Sequence, residues 1–376
     1  MTKTFPQQIV QPVAWKNISV LRGAAMFLVV LNHATMGATN LLHSAQQHLV
    51  HTRVADVIVE LLLRSLTPVC LPAFLFASGY FMFRFQRTWK SAIAAARTIA
   101  TRYAIWAILG YSGFCIFKHE LNLREILTGF ITSGPFSAYW FLLLIVQLAL
   151  LAPWLANLVT RAPGTMLIVS GLVQLLSSTM FYCNTSGTSS LFGSHSAFRN
   201  IPFFLIGMLF SAHADMLIEK LQAWRKPLSV AAIVLYGFNC AECVMLGHVF
   251  GDGVPRSFVY GGDEITFVIF SAAIIVLFVI SPSKPSKLRA QLDYLGMRSL
   301  ALLLLVDPTM EMMFLTLWQS KKLLGLAHGP AVNPPPWVQG TWSILPLVLT
   351  GLYAPLLVLV IVERTFGKRV KKFLFG

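Results

Sequence analysis

Charge is what this sequence lacks most. Only 11% of its 376 residues are Asp, Glu, Lys or Arg, and only 14 are acidic. A soluble protein carries roughly 25% charged residues. A chain that is 56% hydrophobic cannot cover itself with water-facing groups, which excludes an assembly of soluble domains at a length that would otherwise allow two or three. Cysteine is also sparse: the five residues are scattered and odd in number, so they define no disulfide framework. Cys240 and Cys243 form a C-x2-C without a second pair and read as small buried hydrophobes. His43, His48 and His51 have only Asp56 nearby and read as a solvated loop, so no metal is expected. There is no Walker motif, no G-x-G-x-x-G after a strand, no H-E-x-x-H and no internal repeat, which leaves no sequence basis for nucleotide-loop, dinucleotide or zincin chemistry.

What is present is basic and apolar. The 29 Lys and Arg residues give a net charge of +15. That excess would indicate nucleic acid only if it formed a soluble face. Here it falls in short clusters between apolar runs, so the expected partner is membrane lipid and not nucleic acid. A span needs about 20 mostly apolar residues. Ten candidates are expected: 18–37, 57–83, 99–117, 138–160, 165–183, 198–213, 227–250, 264–281, 299–318 and 342–362. These runs are too long for barrel strands. Pro68 and Pro72 predict a break in the second run, and the sixth is short. The expected fold is a single all-α, polytopic domain over 1–376, with a tail at 1–17 and a basic tail at 363–376.

Orientation follows from retention of Lys and Arg on the cytoplasmic side. With the N-terminus inside, nineteen of the 29 basic residues fall in inner segments and seven in outer ones, while Arg22, Arg64 and Arg102 lie within spans. Both termini are therefore expected in the cytoplasm, in agreement with an even number of spans. The first apolar run contains Arg22 and His33 and lacks a convincing small-residue cleavage site, so it reads as a retained helix.

An ionisable group inside a span is costly and calls for a functional or pairing explanation. In NISVLRGAAMFLVVLNHATMG, Arg22 and His33 are eleven residues apart, which is three helical turns plus about 20° and roughly 16 Å along the axis. They project from nearly one face. An Arg near the inner surface can fork onto phosphate oxygens. A buried neutral imidazole can take a proton from an alcohol. A ligand with a phosphate head and a long arm ending in a reactive carbonyl could touch both, and acyl-coenzyme A has that shape. The alternative is an anchoring Arg and an unrelated, hydrogen-bonded His.

Other spans hold Glu60 and Arg64 at i,i+4, an intrahelical pair, and Ser78-Gly79, a small pair that lets helices approach closely. Arg97 and Arg102 open the third span as anchors or a second phosphate contact. Glu242, Asp307 and Glu311 are carboxylates that could orient His33. Tyr139 and Trp140 fit an aromatic belt at the membrane interface.

Several motifs occur in order along the chain: LRGAAMFLVVLNHATMG, LPAFLFASGYFMF, SAYWFLLLIVQLALLAP, IPFFLIGMLF, LDYLGMRSLALLLLVDP and VERTFGKR. Together they resemble the acyltransferase-3 family of bacterial integral membrane proteins, in its stand-alone O-acetyltransferase branch. The resemblance implies about ten spans in the bacterial inner membrane, acetyl-CoA as cytosolic donor, and an envelope or exported polysaccharide, or its lipid-linked precursor, as acceptor. It implies that His33 is catalytic, that Arg22 positions the donor, and that Arg97 and Arg102 contribute, although they are more widely spaced than the family's Arg pair. Asp307 stands where the family often has a His. Glu60, Arg64, Ser78, Trp140 and Asp307 complete the candidates for binding or orienting substrate. A glycan exporter without chemistry, its path lined by Glu60, Arg64 and Asp307, and an N-acyltransferase are the competing expectations.

Overall fold

A computed structural model describes residues 13–46, 54–118, 123–132, 134–136, 138–183, 197–250, 264–282, 284–323 and 344–375. Within them the chain forms helices and no strand: α1 Val13–Gln46, α2 Val54–Leu66, α3 Cys70–Phe85, α4 Trp89–Lys118, α5 Leu123–Thr132, α6 Tyr139–Arg161, α7 Pro163–Tyr182, α8 Ala197–Ala212, α9 Ala214–Gln222, α10 Arg225–Phe250, α11 Ile265–Ile280, α12 Lys287–Met297, α13 Ser299–Leu323 and α14 Ile344–Phe375. The tract with His43, His48 and His51 includes residues outside that set, and nothing is described of its side chains.

Seven stretches among the described residues are long and apolar enough to cross a membrane: Trp15–Met36, Ile58–Phe85, Trp89–Gly113, Tyr139–Arg161, Pro163–Tyr182, Arg225–Leu246 and Ile344–Phe375. They match seven of the ten expected spans. Of the other three, the sixth, expected over 198–213 and short, is α8 (Ala197–Ala212), which bends by 96° into α9. The eighth and ninth are shorter apolar helices, Ile265–Ile280 and Ser299–Met310. The third begins at Trp89, ten residues before its expected start, so Arg97 and Arg102 lie well inside α4. Large apolar side chains stand exposed along α7 (Leu167, Ile168, Leu172) and α10 (Val230, Ile233, Phe238). So much outward apolar surface suits a lipid solvent. The protein is an all-α, multi-pass membrane protein.

The break predicted by Pro68 and Pro72 is present. α2 ends at Leu66, a 3-10 turn occupies Thr67–Val69, and α3 resumes at Cys70 with Pro72 in its first turn, where a missing N–H does least harm. Neighbouring helices satisfy the interrupted ladder, as backbone polar groups in lipid require. Asn239 Nδ2 donates to the Ser65 carbonyl at 2.9 Å and Tyr236 Oη to the Leu62 carbonyl at 2.6 Å. Thr67 Oγ1 donates to Asn32 Oδ1 at 2.9 Å, joining the break to α1 beside His33.

Two glycine pairs bring helices together backbone to backbone. A Cβ on Gly79 of α3 would overlap the Phe204 carbonyl of α8, and one on Gly207 of α8 the Phe76 carbonyl of α3. The same relation holds between Gly23 of α1 and Leu292 of α12, and between Gly296 of α12 and Ser19 of α1. Backbone meets backbone at both places, so a methyl group can be accommodated only by moving a helix. Gly79→Ala is expected to cost about 1–3 kcal/mol, measurable as a lower unfolding midpoint in detergent, whereas Gly164→Ala, with open space around it, should not show the loss.

Through the basic C-terminal segment, expected as a tail over 363–376, α14 continues as far as Phe375, turns at Gly367 (φ 82°) and returns to the bundle. Phe375 is buried against Ala301, Leu305 and Leu359, its ring 5.3 Å from that of Trp106.

Candidate active site

The site forms where α1 and α13 run side by side in the same direction. Arg22 precedes His33 on α1 as Ser299 precedes Asp307 on α13, and the two helices touch at both levels. Arg22 Nη2 donates to Ser299 Oγ at 2.6 Å, and its guanidinium lies 5.4 Å from the centre of the Phe81 ring of α3. Farther along, His33 Nδ1 lies 3.0 Å from Asp307 Oδ1. The imidazole keeps 19% of its side-chain surface exposed and the carboxylate 7%.

Asp307 uses both oxygens. While Oδ1 meets His33, Oδ2 accepts from the Ala138 backbone N–H at 2.6 Å. Ala138 is the N-cap of α6, so the carboxylate sits at the positive end of a 23-residue helix, where an anion is stabilised. Tyr139 closes this corner: it is fully buried and donates its hydroxyl to the Leu304 carbonyl at 2.8 Å. An ionised carboxylate only accepts hydrogen bonds, so its partner nitrogen carries the proton. With Asp307 ionised and His33 neutral, Nδ1 would carry the proton, which would leave the Nε2 lone pair as the basic position. A His oriented by a carboxylate is the arrangement that activates a hydroxyl nucleophile in acyl transfer.

Among the carboxylates considered as partners for His33, the structure selects Asp307. Glu242 is engaged elsewhere: it accepts from Tyr182 Oη and from the backbone N–H of Thr266 at 3.3 Å. The Glu311 side chain lies outside the described residues. Glu60 and Arg64 form the expected pair at 3.2 Å. Ser78 is half-buried and precedes Gly79, the residue that meets α8. Arg97 is exposed, and Arg102 is turned to the C-terminal segment, donating to the Lys372 carbonyl at 3.4 Å. Tyr139 departs from the interface-belt reading: it opens α6 inside the bundle next to Asp307, while Trp140 is half-buried and 6.1 Å from the Phe141 ring.

Sequence reasoning missed Ser299, Tyr139 and the Ala138 N–H. An Asp-Pro in the middle of an apolar helix was the signal available for this corner. A cleft of about 430 Å³ lined by Asn17, Val20, Lys284 and Arg289 opens on a different side of α1, since Val20 and Arg22 are about 200° apart. Cys243 is buried and takes a hydrogen bond from Ser65 Oγ at 3.8 Å, the behaviour of a packed thiol. No group of three or more His, Cys, Asp or Glu side chains able to hold a metal occurs among the described residues.

One face of α1 thus carries a carboxylate-paired His and a cation. Residues 15–362 match the family model described as an acyltransferase domain. The chain belongs to the acyltransferase-3 family and is a membrane acyltransferase. No curated protein and no solved structure matches it.

Proposed function

We propose that this protein is an O-acetyltransferase of a bacterial inner membrane, moving an acetyl group from cytoplasmic acetyl-CoA to a hydroxyl of an envelope or exported polysaccharide or its lipid-linked precursor. The observation that carries this reading is the 3.0 Å contact between His33 Nδ1 and Asp307. His33 Nε2 takes the hydroxyl proton as the acceptor oxygen attacks the thioester carbonyl. The C–S bond then breaks, and His33 returns the proton to the leaving thiolate. Arg22 holds the donor's phosphates, aided by the N-terminus of α13 at Ser299. The arm from the donor's pyrophosphate to its sulfur has thirteen bonds and, at the advance of an extended chain, reaches roughly 15 Å. Arg22 and His33 are separated along α1 by about 16 Å. Met26, on the same stripe between them, is fully buried, so the arm runs beside this side chain or displaces it.

The exporter reading draws less support. Glu60, Arg64 and Asp307, the charges that were to line a path, are paired with side chains of the bundle itself. Purified protein in a bilayer is expected to release thiol from acetyl-CoA in step with ester formation on the acceptor. Arg22→Gln should raise the donor KM at least tenfold, the loss of a charge-assisted phosphate contact. In a deletion strain, exported glycan without acetyl esters supports the enzyme. Glycan trapped inside the cell would overturn it in favour of transport.

A further inference from the structure

The face of α1 that carries Arg22 and His33 does not stop at Arg22. Trp15 lies seven residues before Arg22, two helical turns less about 20°, and eighteen before His33, five whole turns. The three side chains therefore share one stripe of a continuous helix, with Trp15 about 10 Å beyond Arg22 on the side away from His33. This stripe faces the bundle. Arg22 touches α3 and α13, His33 touches α13, and Trp15 packs edge-on against two rings of α3, Phe81 at 5.0 Å and Phe85 at 5.3 Å. Phe81 is also the ring under Arg22, so an unbroken series of contacts joins the cation to the indole. Trp15 is only half-buried, and Phe85 beyond it is 54% exposed.

An anchoring interface Trp points toward lipid. This one stands on the inward stripe, its plane fixed by two phenyl rings, next to the only cation of that stripe among the described residues. The order along α1 is aromatic, cation, base. A nucleotide-tailed thioester has a purine, then a pyrophosphate, then a long arm to the acyl group.

We infer that Trp15, braced by Phe81 and Phe85, is the platform on which the donor's purine base stacks, so that one stripe of α1 reads base, phosphate and thioester in turn. This rests on the proposed use of acetyl-CoA. Stacking of a base on an aromatic side chain is sequence-tolerant and strong enough to change affinity about tenfold or more.

The test compares acetyl-CoA with acetyl-pantetheine, which has the arm and the thioester but no nucleotide, on bilayer-reconstituted protein. Trp15→Leu is expected to raise KM for acetyl-CoA about tenfold with little change in kcat, and to leave acetyl-pantetheine kinetics as in wild type. Trp15→Phe, which keeps a stacking face and preserves packing against α3, should recover most of the affinity. An equal loss with both donors in both variants would overturn the proposal by making Trp15 a packing residue. No loss with either donor would overturn it by removing the stack. A wild type that transfers from acetyl-pantetheine but gains nothing from the nucleotide would refute the platform and leave the acyltransferase reading intact. A wild type inactive with both donors would refute the donor assignment itself.

Discussion

Asp307→Asn is expected to lower kcat by about 10²–10⁴-fold with the fold intact, the scale on which a misdirected catalytic imidazole fails. Asp307 accepts two hydrogen bonds, one at His33 Nδ1 and one from the Ala138 N–H. An asparagine has one acceptor oxygen and one donor nitrogen, so it can satisfy only one of them. If its oxygen keeps the start of α6, its NH2 group faces His33, and the imidazole must turn its lone pair to Nδ1. The proton then sits on Nε2, and the base is lost. If the oxygen keeps His33, two donors face each other at Ala138 and the α6 N-terminus loses its cap. Turnover and the thermal unfolding midpoint distinguish the two: the first arrangement, on which the expected loss rests, lowers turnover alone, and the second lowers chiefly the midpoint. Wild-type turnover in folded protein would remove Asp307 from the reaction.

The second large effect concerns the imidazole. His33→Gln should reduce transfer by at least about 10³-fold, with the acetyl-CoA KM changed little because Arg22 is untouched. Glutamine is a cleaner test than alanine. His33→Ala would leave a carboxylate that is 7% exposed without its principal partner, and a stranded buried charge costs several kcal/mol. A Gln side chain can still donate to Asp307 while offering no base. Loss of turnover in a variant that unfolds like wild type therefore reports chemistry, and full turnover would end the assignment of His33 as base.

Much of this architecture could be read without coordinates, because membrane helices are specified by local composition. The apolar runs located most of the helices, and Pro68 marked the break at Thr67–Val69. The common face of Arg22 and His33 followed from helical pitch alone. What escaped prediction depends on which helices are neighbours. Nothing local distinguishes Asp307 from Glu242 as a partner for His33, yet one sits against α1 and the other is bound by Tyr182 and Thr266. Tyr139 and Trp140 have the composition of an interface pair, and only the burial of Tyr139 at the start of α6 places it beside Asp307. The bend after α8 falls at His213, which follows an otherwise continuous apolar run. The docking of Phe375 depends on a positive-φ glycine eight residues earlier and on a ring in α4.

One span is interrupted and another helix begins at the level of His33. The 3-10 turn of the second span bonds to Asn32, and the first residue ahead of α6 bonds to Asp307. Peptide dipoles consequently terminate in mid-bundle, where a bundle of unbroken rods would present only hydrocarbon. On the proposed reading, a hydroxyl brought to His33 meets polar groups there and not hydrocarbon alone, which lowers the cost of shedding its hydration shell.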